Sequence, residues 1–174
     1  TRCGMPINPL LRESSYGCKI LNNVKMNHDM RIIRKYTEWY SMPYAEKTHY
    51  DEFQRITCTA QNAGISKMII DDAIYYHHKI SAHDISFRGD NRDGIIAGAL
   101  YISFRHNDCP RTAKEIANIF NLDVASATKG CKNARVIINT IEKDDNVNEK
   151  TELGKTTPRS FIERFCSKLN INIE

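Results

Sequence analysis

The stretch Asp93-Gly94-Ile95-Ile96-Ala97-Gly98-Ala99-Leu100-Tyr101-Ile102-Ser103-Phe104-Arg105-His106 would carry apolar side chains on nearly every face of a helix. A helix apolar all round belongs at the centre of a bundle, where every face meets another element. Gly94, Ala97, Gly98 and Ala99 are small enough to let neighbouring helices approach closely. Two interior glycines cost ~1 kcal/mol each relative to alanine, so a packing reason for them is expected. Asp93 is expected to cap this central helix. The apolar run Gly94 to Ile102 is far short of the ~20 residues a membrane-spanning helix needs.

Outward from this stretch the 3.6-residue period persists. Upstream, Tyr50 to Asn62 sets Phe53, Ile56, Cys58 and Ala60 at helical spacing, and Gly64 follows as a C-terminal cap. Ser66 stands where it would cap the next helix, which is expected to turn Met68, Ile69, Ala73, Ile74 and His77 inward. Asp71 and Asp72 lie early in that helix, where its dipole favours anions. Downstream, Thr112-x-x-Glu115 reads as a capping box for a helix running to Phe120, and a fifth helix spans Val124 to Ile141. The segment from Glu142 to Lys155 has the charged, apolar-poor composition of a linker. Pro158 to Leu169 then places Phe161, Ile162, Phe165, Cys166 and Leu169 on one stripe, with proline at the tolerant start of the helix. That stripe must pack on the core, pair with another chain, or stay mobile. Towards the N-terminus, Met26 to Tyr40 can be helical until Met42-Pro43 breaks it. The opening Cys3-Gly4-Met5-Pro6-Ile7-Asn8-Pro9 is turn-rich. No segment alternates as a strand would, and the expected fold is all-α.

Of the 174 residues, 25 are Lys or Arg and 21 are Asp or Glu, a net charge of +4, and 41% are hydrophobic. This is a globular composition that excludes a wholly disordered chain. Residues 1–50 hold eight basic and four acidic side chains, so the excess sits in the N-terminal arm while the remainder is near neutral. Any nucleic-acid contact must therefore be local. The six cysteines, at 3, 18, 58, 109, 131 and 166, form no C-x-x-C pair and follow no signal peptide. Reduced thiols, mostly small apolar fillers, in an intracellular, reducing compartment are expected. The chain begins at Thr1 and stops within a hydrophobic pattern, and is read as a piece of something longer.

The segment Pro110 to Lys132 has the shape of a helix-turn-helix, with its turn at Asn121-Leu122-Asp123. In its second helix, Lys129, Lys132 and Arg135 are three residues apart and span roughly a third of the circumference. Such a row meets a phosphate backbone without carrying sequence information, although it also fits an ordinary solvated helix face. The loop Phe87-Arg88-Gly89-Asp90-Asn91-Arg92 adds two further cations beside a glycine. Cys3 and Cys18 are half the ligand set a structural zinc needs. His77, His78 and His83 cluster without ligand spacing and are expected to be surface or packing histidines. There is no Gly-rich phosphate loop, nucleophile elbow or H-E-x-x-H, and no enzymatic activity is expected.

Taken together, Arg88 to Arg105 followed by Cys109-Pro110-Arg111-Thr112-Ala113-Lys114-Glu115-Ile116 resembles the third helix and following helix of a cyclin-like repeat. The pairing of an A-x-x-Y-I-x-x-R helix with P-R-T-x-K-E-I is similar to the first repeat of the transcription initiation factor IIB family. Ser160-Phe161-Ile162-Glu163-Arg164-Phe165-Cys166-Ser167-Lys168-Leu169 resembles the opening helix of that family's second repeat. Arg2-Cys3-Gly4 resembles the closing knuckle of its zinc ribbon. Trp39-Tyr40-Ser41-Met42-Pro43-Tyr44-Ala45-Glu46-Lys47 is most similar to divergent members from large DNA viruses.

The resemblance implies an arm over residues 1–49, made of a zinc-ribbon remnant and a reader-like and linker-like segment. It implies a five-helix cyclin-like repeat over 50–143, a linker over 144–157, and the start of a truncated second repeat over 158–174. It implies a non-enzymatic initiation factor that joins promoter DNA and TATA-binding protein to a multisubunit RNA polymerase. DNA contact is then expected from Lys129, Lys132, Arg135, Arg88, Gly89 and Arg92, and polymerase contact from Arg31, Arg34, Lys35 and Trp39. Gly89 is followed by Asp90 where the family carries Arg, which removes one cation from that loop. Base readout in the family belongs to the second repeat and is not implied here. Cys3 is an incomplete metal position; no cofactor is expected in this piece, and zinc only in a longer parent. No membrane partner is implied. The compartment is the host cytoplasm or virion for a viral protein, otherwise the nucleus or an archaeal cytoplasm. The rival expectation is a cyclin-like module that activates a kinase, because one fold serves both.

Overall fold

A computed structural model describes residues 20–21, 25–82, 87–144 and 157–171. Seven helices follow one another among these residues: α1 (His28–Tyr40), α2 (Tyr44–Asn62), α3 (Lys67–Ser81), α4 (Asp90–His106), α5 (Ala113–Phe120), α6 (Val124–Asp144) and α7 (Arg159–Leu169). The all-α expectation holds. The chain divides within α2 into two compact units, residues 1–54 and 55–174.

In the first unit, Asn27 caps α1 through its Oδ1, which accepts from the His28 N–H at 2.8 Å. Pro43 ends that helical run as expected, and its carbonyl accepts from the Lys47 N–H at 2.9 Å to open α2. The second helix consequently starts at Tyr44, six residues before the expected Tyr50. Proline breaks a helix it interrupts but is well placed to begin one.

In the second unit, α4 is the element on which α3, α5, α6 and the end of α2 pack. From Gly94 to Phe104 only Tyr101 is not fully buried. On one side, Ile96, Ala97, Leu100 and Phe104 pack with Ile56 of α2, Ile69 and Ala73 of α3, and Ile116 and Phe120 of α5. On the other, Ile95, Ala99 and Ile102 pack with Tyr76 and Ile80 of α3 and Ala134, Ile137 and Ile138 of α6. Two apolar clusters share one helix, which is why its sequence shows no polar face. The glycines answer the packing question. A Cβ on Gly130 of α6 would lie 2.1 Å from the Gly94 carbonyl oxygen and 2.5 Å from its Cα. Backbone touches backbone there.

Several local expectations need correction. The N-cap of α4 is Gly89, with φ +54° and ψ −139°, and not Asp93. Helix formation begins at Asp90 because the Gly89 carbonyl accepts from both the Arg92 and Asp93 N–H groups. Asp93 instead pairs with Arg55 of α2. Met68 is 63% exposed, because the inward stripe of α3 is Ile69, Ile70, Ala73, Tyr76, His77 and Ile80 and Met68 sits across from it. Ser66 occupies the cap position of α3 without a side-chain hydrogen bond. Asp72 lies beyond the first turn and accepts from the Asn107 side chain at 2.7 Å, tying α3 to the end of α4. Cys58 and Cys109 are exposed and not filler; Cys131 is buried, and Cys166 is half-buried. Burial pushes the Cys131 thiol up to about 12.

Gly130→Ala gains ~1 kcal/mol of helix propensity but forces two backbones apart, a net loss of about 3 kcal/mol. A fall in Tm of roughly 6–12 °C is expected. At Gly64, φ is +70° and no atom stands near an added Cβ. Gly64→Ala should therefore lose only the left-handed strain of about 1–2 kcal/mol. A smaller loss at 130 than at 64, by thermal unfolding, would show that α4 and α6 can part cheaply.

Candidate nucleic-acid interface

The interface begins with a turn that the sequence makes sharp. Thr112 Oγ1 accepts from the Glu115 N–H at 3.2 Å, and Glu115 Oε2 accepts from the Thr112 N–H at 2.8 Å. This capping box satisfies two orphan donors at the start of α5. The helix ends eight residues later at Asn121, which is left-handed with φ 52°. Asp123 then caps α6, its Oδ2 accepting from the Ala125 N–H at 3.1 Å. Helix, tight turn and helix follow at the expected places. Ile116, Ala117 and Phe120 are buried on the inner side of α5.

The outer side of α6 carries Lys129, Lys132 and Arg135, all exposed. Lys143 is exposed on the same face and escaped the sequence reading because it sits in the charged stretch taken for a linker. From Lys129 to Lys143 the row runs about 21 Å along the helix axis. The only acid in that span, Glu142, is buried and faces Lys79 Nζ at 4.0 Å. The exposed charges of this span are thus all cationic, and a helix face of this kind attracts phosphates through charge alone.

The loop before α4 reaches the same end of the repeat. An added Cβ on Gly94 would meet the Ser126 carbonyl, and one on Gly98 would meet Gly130 and Ala134, so α4 and α6 run in the same direction. Their N-terminal ends therefore lie together, with Arg88 and Gly89 just ahead of α4. Arg88 is exposed; Arg92 is half-buried inside the first turn of α4 and not in a loop.

The residues expected to face polymerase all lie on α1. Arg31 and Lys35 are exposed, Arg34 is half-buried, and Trp39 is 56% exposed with Lys35 Nζ 4.4 Å from its ring centre. The structure adds Tyr36, which meets Trp39 edge-on at 5.8 Å and stacks with Tyr40 at 6.2 Å. The i, i+3, i+4 spacing of these aromatics could have shown this from the sequence. Cys3 and His83 lie outside the described residues. His77 is buried and His78 exposed. Among the described residues, no group of three or more His, Cys, Asp or Glu is placed to hold a metal.

A helical repeat folded round an apolar central helix, with a capped helix-turn-helix on its flank, is a cyclin-like repeat. Residues 45–134 match the transcription factor TFIIB repeat. The chain is 31% identical to a transcription initiation factor IIB-like protein of Acanthamoeba polyphaga mimivirus over 98% of its own length. It is 30% identical to transcription initiation factor IIB of Oryza sativa over 98%, and 28% identical to that of Encephalitozoon cuniculi over 99%. The chain belongs to the transcription factor TFIIB family. It spans 38% of the viral relative's length and 51–53% of the other two.

Glu115 carries a second load besides the cap. The Arg164 guanidinium of α7 forks onto its carboxylate, with Nη2 donating to Oε2 at 3.0 Å and Nη1 to Oε1. Chiefly through that pairing, and against its partial burial, the carboxyl is lowered from 4.5 to about 2, with Thr112 adding to the effect. A carboxyl that ionises more readily folded than unfolded stabilises the fold above its unfolded value, and loses that contribution as pH falls towards its folded one. The stability difference between the wild type and Glu115→Gln should narrow from pH about 4.5 down to about 2. Denaturant midpoints across that range measure it, and a difference constant with pH would contradict the assignment.

Proposed function

We propose that this chain is a working part of a non-enzymatic transcription initiation factor, which bridges promoter DNA bound by TATA-binding protein to a multisubunit RNA polymerase. The observation that carries the reading is the row of cations from Lys129 to Lys143, with no exposed acid between them, on a repeat of the TFIIB family. Lys129, Lys132 and Arg135, extended by Lys143, would meet DNA phosphates, with Arg88 beside the Gly89 turn at the same end of the repeat. The arm, through Arg31, Arg34, Lys35 and Trp39 on α1, would meet polymerase. In this reading residues 1–49 act as the arm, 50–143 as the repeat, and 158–174 as the opening of a second repeat. Action would take place inside the cell or, for a viral protein, in the host cytoplasm or virion. No helix of the described residues is long and apolar enough to cross a membrane.

Phosphate contacts make log Kd linear in log salt, with a slope of roughly one per contact. Replacing Lys129, Lys132 and Arg135 together with alanine should reduce that slope by about three. The loss should be equal on duplexes of unrelated sequence, because phosphate contacts carry no base information. An unchanged slope in a folded triple variant would remove α6 from the interface.

The polymerase half is tested by retention of the cognate multisubunit RNA polymerase on the full chain and on a version lacking residues 1–49. Retention by the full chain and loss on truncation is expected. Equal retention would move the contact to the repeat. No retention by either at low salt would favour a different protein partner, such as a kinase.

A further inference from the structure

We propose that α7 is held on the repeat by a polar latch: Arg164 grips the carboxylate that already closes the capping box of α5, and this pairing decides whether α7 is docked. The inference does not rest on the DNA or polymerase reading.

Apolar burial is a poor candidate for the docking force. None of the residues of α7 is buried. Phe165 is 43% exposed and Leu169 is 68% exposed. The polar contact is much better made. Arg164 is only 20% exposed at its side chain, and its guanidinium lies 5.7 Å from the Phe161 ring centre and 4.9 Å from that of Phe165. The two aromatics, 6.4 Å apart, shield the ion pair and help fix the Arg164 fork. An isolated surface ion pair is worth little, but a bidentate one inside a network is the exception.

On the other partner, Glu115 is fixed before α7 arrives. Its Oε2 accepts from the Thr112 N–H and from Thr112 Oγ1 at 3.0 Å, so the carboxylate is already oriented by the start of α5. Arg111 approaches the remaining oxygen only to 3.9 Å, leaving it to Arg164. One side chain thus joins three things: the first turn of α5, the helix-turn-helix that follows, and α7. If α7 opens a second repeat, as Ser160 to Leu169 suggests, Glu115 sets the angle at which that repeat leaves the first.

Glutamine separates the two roles of Glu115, because its carbonyl oxygen still completes a capping box while its amide group faces the guanidinium. Hydrogen exchange on the full chain is the measurement. Glu115→Gln should speed exchange in residues 159–169 by roughly fivefold or more, with residues 113–120 unchanged. About 0.5 M salt should do the same to the wild type and add little to the variant. Arg164→Lys, which keeps the charge and loses the fork, should fall between. Equal exchange of 159–169 in the wild type and Glu115→Gln would overturn the latch. So would insensitivity to salt, or loss of protection at 113–120 together with 159–169, which would mean that Glu115 acts through α5 alone.

Discussion

The contact on which the repeat depends is the crossing of α4 and α6 at Gly94 and Gly130, where no side chain separates two backbones. That approach brings α6 close enough for Ala134, Ile137 and Ile138 to reach Ile95, Ala99 and Ile102. Without it the second apolar cluster would open, because dispersion contacts fall away over a fraction of an ångström. The helix-propensity loss at each glycine is small beside the burial that the crossing permits.

From that crossing the outer surface follows. With its glycine and alanine side turned onto α4, α6 must present its lysines and Arg135 outward. The capping box and the left-handed Asn121 then fix how tightly α5 folds back on α6. Rigidity at the turn gives the cationic row a defined direction, which a charged loop of the same composition would lack. The same carboxylate that sharpens α5 receives Arg164, so the local geometry of one helix start is felt at a residue far along the chain.

What was legible in the sequence was whatever a single helix can encode. The all-apolar run 93–106 announced a central helix, Thr112-x-x-Glu115 announced the capped start of α5, and the row at 129, 132 and 135 announced an exposed face. The misread features depend on neighbours. Met68 looked inward because it is apolar, but only the placement of α4 decides which stripe of α3 is buried. Asp93 looked like a cap because it precedes the apolar run; the positive φ of Gly89 starts the helix a turn earlier. Lys143 vanished into an apparent linker because α6 outlasts its own apolar pattern. The Arg164–Glu115 pair could not be read at all, since nothing local links residues 49 positions apart. The family, in contrast, was legible because three short motifs recur in order, and order survives where individual contacts cannot be inferred.

Cys131 stands next to Gly130 on α6, buried and with its thiol pushed up to about 12. Only the thiolate is nucleophilic, so an electrophile in neutral solution meets essentially none of it while the helices are closed. Modification of Cys131 should therefore record how often the closed state lapses, as a clock wound by the protein's own fluctuations. The exposed Cys58 and Cys109 need no such opening to meet a reagent, whereas Cys131 must wait for one.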